Sequence, residues 1–109
     1  MRGAARFAAV LREGRRFDGK RVQLVAVPAA GPAGCVGYVI ASKHLKRAID
    51  RNRLKRMLRE AIRARRPAMN AFDVVLRLRT ACVRAEIEAA ASEASALLDA
   101  LGRDRRSPR

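Results

Sequence analysis

Residues 43–66, KHLKRAIDRNRLKRMLREAIRARR, carry eleven Lys or Arg against only Asp50 and Glu60, and so supply nine of the chain's fifteen net positive charges. At about 100° per residue in a helix, Asn52, Arg53, Lys55, Arg56 and Arg59 fall within about 80° of Arg63. Leu54, Met57, Leu58, Ala61 and Ile62 occupy the opposite side. A segment patterned in this way packs along one face and leaves the other for solvent or a ligand. Pro67 ends it near Arg66, because proline cannot continue a helix. The flanking segments fix its setting. CVGYVIAS, residues 35–42, is nearly all apolar, which predicts a central strand covered on both faces. FDVVLRLR, residues 72–79, alternates Val75, Arg77 and Arg79 on one side with Val74, Leu76 and Leu78 on the other, a strand with a basic face. The helix between them is long enough to join parallel strands.

The remainder supplies the other layers. Phe7, Val10 and Leu11 recur at helical spacing, with Gly14 as the C-cap. In RFDGKRVQLVAVP, Val22, Leu24 and Ala26 alternate with Arg21, Gln23 and Val25 as a strand closed by Pro28. A short extra strand around Arg16 and Phe17 precedes a turn at Asp18-Gly19. Residues 29–34, AAGPAG, are a loop, and Gly37 permits a close approach within the apolar strand. Ile87, Ala90, Ala94, Leu97 and Leu101 mark a closing helix whose acidic residues Glu86, Glu88, Glu93 and Asp99 predict that it faces away from any polyanion. The expected class is α+β, a two-layer sandwich in the order α-β-β-(β)-α-β-α. Residues 1–102 form one domain, and the basic tail 103–109 is expected to be disordered.

A mixed charged helix face is ordinarily just solvated, but here acidic neighbours are nearly absent. Like charges on successive turns repel, and phosphates would relieve that repulsion. The sequence pI near 11.7 belongs to the range of nucleic-acid-binding domains. Twenty-one of the twenty-five basic residues are Arg, whose planar fork suits phosphates and stacks on bases. A membrane surface is the competing polyanion, yet the basic segment has no Trp or Phe to seat among headgroups. No stretch approaches the roughly 20 apolar residues of a membrane span, and the basic start does not read as a signal peptide. A cytoplasmic location is therefore expected. Cys35 and Cys82 lack CxxC or His-rich neighbours and read as free, mostly buried thiols in a reducing compartment.

Catalytic and metal-binding constellations are not legible. His44 is the only histidine, and Ser42, Ser92, Ser95 and Ser107 have no positioned base. Asp50 and Glu60 point about 80° apart along some 15 Å of helix. Glu60 is expected to pair with Arg56 or Arg63, and Asp50 to favour the helix start electrostatically. Arg51 projects towards the apolar seam and could anchor the helix or its neighbouring loop; Asn52 could meet RNA or bond locally.

In order, VIASK, then AIDRNRLKRMLREAIR, then FDVVL closely resembles the bacterial ribonuclease P protein subunit. The leading Phe-x-x-Val-Leu helix and the acidic closing helix also stand where that family has helices. The resemblance implies a protein that binds the catalytic RNA of ribonuclease P and assists endonucleolytic removal of the 5′ leader from precursor tRNA. It places the chemistry and the Mg²⁺ in the RNA, with no cofactor on the protein and no obligate protein partner. By the same resemblance Lys43, Arg51, Asn52, Arg53, Lys55, Arg56, Arg59 and Arg63 belong to the RNA-contacting surface. Phe7, Leu11, Gln23 and Val25 match a cleft for single-stranded leader, and the strand–helix–strand crossover is left-handed, as in a related ribosomal protein domain. The chain departs from the family at Leu11 and Val25, where aromatics are frequent, at Cys35 and His44, where basic residues are common, and before the first helix, where only Arg2 and Arg6 are basic. A ribosomal RNA-binding protein and a basic-helix DNA-binding regulator are the alternative readings.

Overall fold

The computed structural model describes residues 4–32 and 34–104, without the side chains of residues 4–6 and 104. Arg2 and the side chain of Arg6 therefore lie outside the described residues. In chain order the elements are α1 (Ala4–Glu13), β1 (Arg15–Asp18), β2 (Val22–Pro28), β3 (Val36–Val39), α2 (Ala48–Ala64), β4 (Phe72–Leu78) and α3 (Ile87–Asp104). Short 3-10 turns at Ala68–Ala71 and Arg84–Glu86 precede β4 and α3. The α+β order is the expected one, and the short strand at Arg16 and Phe17 exists as β1.

The strands lie in the order β1-β2-β4-β3. β1, β2 and β4 pair antiparallel, while β3 and β4 are parallel and are joined through α2. Alternation along the strands divides the apolar residues between the two sheet faces. Val22, Leu24 and Ala26 of β2 and Val74, Leu76 and Leu78 of β4 meet Leu54, Leu58 and Ile62 of α2 and Ile87, Ala90, Ala94, Leu98 and Leu101 of α3. On the other face, Val25 and Val75 meet Val10 of α1, with Phe7, Leu11, Val27 and Val39 around them. The sheet and the α2/α3 layer form the sandwich, and α1 covers part of the outer face.

Two sequence expectations change. β3 is an edge strand, not a central one. Its apolar character comes from cover above and below, since Val36 and Tyr38 pack on the α2/α3 side and Val39 on the α1 side. Such cover is independent of whether a second strand hydrogen-bonds along the remaining edge. In α3, Leu98 is fully buried alongside the expected Ile87, Ala90, Ala94 and Leu101, and Leu97, half-buried, packs against the same core. The helix also continues through Asp104, so Arg103 and Asp104 belong to it; the remainder of the expected tail lies outside the described residues.

Polar contacts tie the layers together. The Asp73 carboxylate, only 2% exposed, accepts hydrogen bonds from the backbone N–H of Ala30 at 3.3 Å and of Cys35 at 2.9 Å, pinning the 29–35 loop. Gly34 has no room for a side chain because a Cβ there would collide with the Phe72 carbonyl oxygen. Arg21 forms an ion pair with Glu93 at 2.6 Å, and Glu93 also accepts from the Arg21 and Val22 backbone N–H groups. Burial opposes ionisation of Glu93, but those hydrogen bonds outweigh it and hold its pKa below the usual carboxylate value. The stabilisation is therefore present above the usual carboxylate range and is lost as pH falls through the lowered value.

Candidate nucleic-acid interface

The start of α2 is set by arginines acting on the protein itself. Its N-cap, Arg47, supplies no side-chain hydrogen bond. Instead the Arg51 guanidinium donates to the carbonyls of Leu45 at 2.9 Å and Lys46 at 2.8 Å, holding the preceding turn against the first helical turn. Asp50, 7% exposed, accepts from Arg84 Nε at 3.0 Å, which fastens α2 to the segment leading into α3. Lys43 is exposed just before the helix. With His44, Lys46, Arg47 and Arg84 it borders a recess of about 530 Å³.

Beyond this start, the packed face of α2 buries Leu54, Leu58 and Ile62, each worth roughly 1.5–3 kcal/mol. The same rotation turns Asn52, Arg56, Arg59 and Arg63 to the outside, with Lys55 half-buried at the flank. Among the described residues, no carboxylate pairs with Lys55, Arg56, Arg59 or Arg63, and Glu60 pairs with neither Arg56 nor Arg63. The α3-facing flank is different. Arg53 meets Glu88 at 3.1 Å, and Arg65 meets Asp99 at 2.8 Å while also donating to the Ala61 carbonyl. The Arg65 hydrogen bond is the main cause that lowers the Asp99 pKa. The acidic residues of α3 thus do not simply face away. Two of them neutralise arginines along the α3 side of α2 and leave the open cations on the outer face and the β3 side.

Of the residues expected to line a cleft, Phe7, Leu11 and Val25 share one packed cluster on the α1 side of the sheet. Phe7 and Leu11 of α1 are half-buried over the sheet. Phe7 lies across Gly37 so closely that a Cβ at 37 would sit 3.0 Å from its ring, which gives the close approach at Gly37 its cause. Val25 is 0% exposed, packed beneath Val10, so it shapes the floor and has no surface for a ligand. Strand alternation assigned it to this face but could not show that α1 covers that point. Gln23 is accessible at the open end, where its Nε2 donates to Asp18 Oδ1 at 2.7 Å and its Oε1 is left as an acceptor. Arg77, exposed, is the register partner of both Gln23 and Val39. Arg79 lies 3.6 Å from Asp18. The basic face of the last strand was visible as alternation, but only the strand register sets Arg77 beside Gln23.

Other titratable candidates have structural surroundings. His44 is half-buried in the turn before α2, where its carbonyl accepts from the Cys82 N–H at 2.8 Å. Cys35 and Cys82 are free thiols, and burial is the main cause that raises the Cys82 pKa. Among the described residues, no three His, Cys, Asp or Glu side chains converge as a metal site, and no helix is long and apolar enough to cross a membrane.

The arrangement is a basic helix face on one side of a small α+β scaffold and α1 on the other side of its sheet, and known proteins share the scaffold. The family model described as Ribonuclease P matches residues 1–102. A ribonuclease P protein component of Bordetella parapertussis is 40% identical over 100 residues, covering 86% of this chain and 80% of its own length. One of Nitrosomonas europaea is 34% identical over 79 residues, covering 72% of this chain and 66% of its own. Among solved structures, the RNase P protein from Thermotoga maritima superposes with a TM-score of 0.72 at 25% identity, covering 94% of this chain and 98% of that one. The Staphylococcus aureus RNase P protein shares the fold at 15% identity, with a TM-score of 0.71 over 97% of this chain and 94% of that one. With its motif, its fold and nearly its whole length matched, the chain belongs to the ribonuclease P protein family.

Proposed function

We propose that this chain is the protein subunit of a ribonuclease P ribonucleoprotein, binding the catalytic RNA through the outer face of α2 and the 5′ leader of precursor tRNA through the α1–sheet cleft. The observation that carries this reading is the row Lys55, Arg56, Arg59 and Arg63, which has no carboxylate partner among the described residues although α3 supplies acids to the neighbouring flank. Cations so placed suit phosphates, which they would meet with release of counterions. Lys43 and Asn52 extend the surface, while Arg51 and Arg53 support its geometry. Cleavage of the leader belongs to the RNA and the Mg²⁺ it holds. The protein contributes substrate affinity and relief of repulsion between two polyanions, in the cytoplasm and without an obligate protein partner.

Binding at matched salt to structured ribonuclease P RNA, ribosomal RNA and duplex DNA tests the assignment. Preference for the first is expected; preference for ribosomal RNA or for DNA would move the chain to another role. The isolated protein is expected to leave precursor tRNA intact and to support cutting at the mature 5′ end once the cognate RNA is added. Cleavage by protein freed of RNA under denaturing conditions would overturn the division of labour.

A further inference from the structure

We propose that a recess between β3 and the C-terminal half of α2 receives one unstacked nucleotide of the RNA partner, a site distinct from the leader cleft. This inference rests on the reading of α2 as an RNA-binding face. The recess, about 300 Å³, is lined by Val36 and Tyr38 from β3 and by Arg59, Ile62, Arg63 and Arg66. That volume is at the lower end for small-ligand sites and suits a single nucleotide.

Its two parts have different chemistry. Val36, Ile62 and the ring of Tyr38 form an apolar floor continuous with the core. Three guanidinium groups form the rim, and none of the described residues that line it is acidic. Arg66 also donates to Asn70 Oδ1, which holds its side chain near the end of the recess. Burial is the main influence on the Tyr38 phenol and raises its pKa, while the charges of Arg59 and Arg66 pull the other way. The phenol therefore stays protonated at neutral pH and can both donate and accept.

A phosphate of a regular duplex would use the arginine rim and leave the apolar floor wet. An unstacked nucleotide uses both, with its base against the floor or a guanidinium plane and its phosphate on the rim. RNA is commonly recognised through such splayed bases, stacked on aromatic rings or arginines. The edge position of β3 keeps the recess open, because among the described residues no fifth strand pairs along β3.

The test is a base-reactivity footprint of ribonuclease P RNA bound to the full chain, combined with affinities at several salt concentrations. The wild type and Tyr38→Phe are expected to protect the base of the same unpaired nucleotide. Tyr38→Leu, which keeps apolar volume and removes the ring, is expected to lose that protection and bind about five- to thirtyfold more weakly, with an unchanged salt slope. Arg66→Glu, at an exposed position, is expected to lose the protection as well. If Tyr38→Leu does not fold, Arg66→Glu decides the matter. Protection that persists in either folded variant, or no protected unpaired base at all, overturns the recess. Arg56→Ala separates the two levels, since Arg56 lies outside the recess: if it too leaves RNA affinity and salt slope unchanged, the assignment of the α2 face itself has failed.

Discussion

The basic face of α2 and the α1 side of the sheet are the two surfaces proposed for RNA, and they are built in opposite ways. One helix creates the first. Its cations occupy a single rotation of one continuous segment, and they act through charge that reaches several ångströms into solvent. The second needs α1, β2, β3 and β4 together, because Phe7 packs across Gly37 and the strand register sets Gln23 beside Arg77. Its contacts are short-range and depend on shape. The lesson is that charge placed on one helix survives small packing errors, whereas a cleft assembled from four elements does not. Salt should therefore separate the two, and so should substitutions that alter packing without altering charge.

The largest effect should come from removing the support beneath the helix. Leu58→Ala deletes buried volume under α2 and is expected to cost about 2–5 kcal/mol of stability, read as a lower melting temperature. Below that temperature its salt slope should match wild type, which would show that the charged face acts as a unit once docked. Within the cleft, Phe7→Leu retains apolar area but removes the aromatic face. It should weaken binding of a precursor bearing a leader by about 1–3 kcal/mol and barely affect mature tRNA. Equal losses on both substrates, or a fall in melting temperature that accounts for them, would reduce Phe7 to a packing residue.

Arg59→Ala should instead make the slope of log K against log salt shallower by roughly 0.7–0.9 for one lost phosphate contact. Arg53→Ala should change it less, because Glu88 already holds that guanidinium. Identical slopes for the two variants would erase the distinction between the outer face and the α3 flank. The smallest effect is expected for Glu88→Gln. Arg53 and Glu88 are 42% and 75% exposed, so their pair is worth no more than about 1 kcal/mol, and freeing Arg53 should tighten RNA binding slightly at low salt. Weaker binding in this variant would mean that Glu88 orients Arg53 for the RNA.

The sequence by itself determined the element order, the apolar seam of α2, the rotation that exposes Arg56, Arg59 and Arg63, and the family. Each of these follows from residues close together in the chain, where helical or strand periodicity converts spacing directly into direction. Only the tertiary structure decided the rest. Val25 lies on the expected face of β2, but its burial depends on where α1 crosses. β3 is apolar on both sides, but its place at the sheet edge depends on the pairing of β4 with β2. Arg53 and Arg63 look alike along the helix, and they differ because α3, some 35 residues later in the chain, brings Glu88 to one of them. Periodicity fixes the direction in which a side chain points from its own element. What it meets there is set by contacts between distant segments, whose geometry arises from packing the whole core at once.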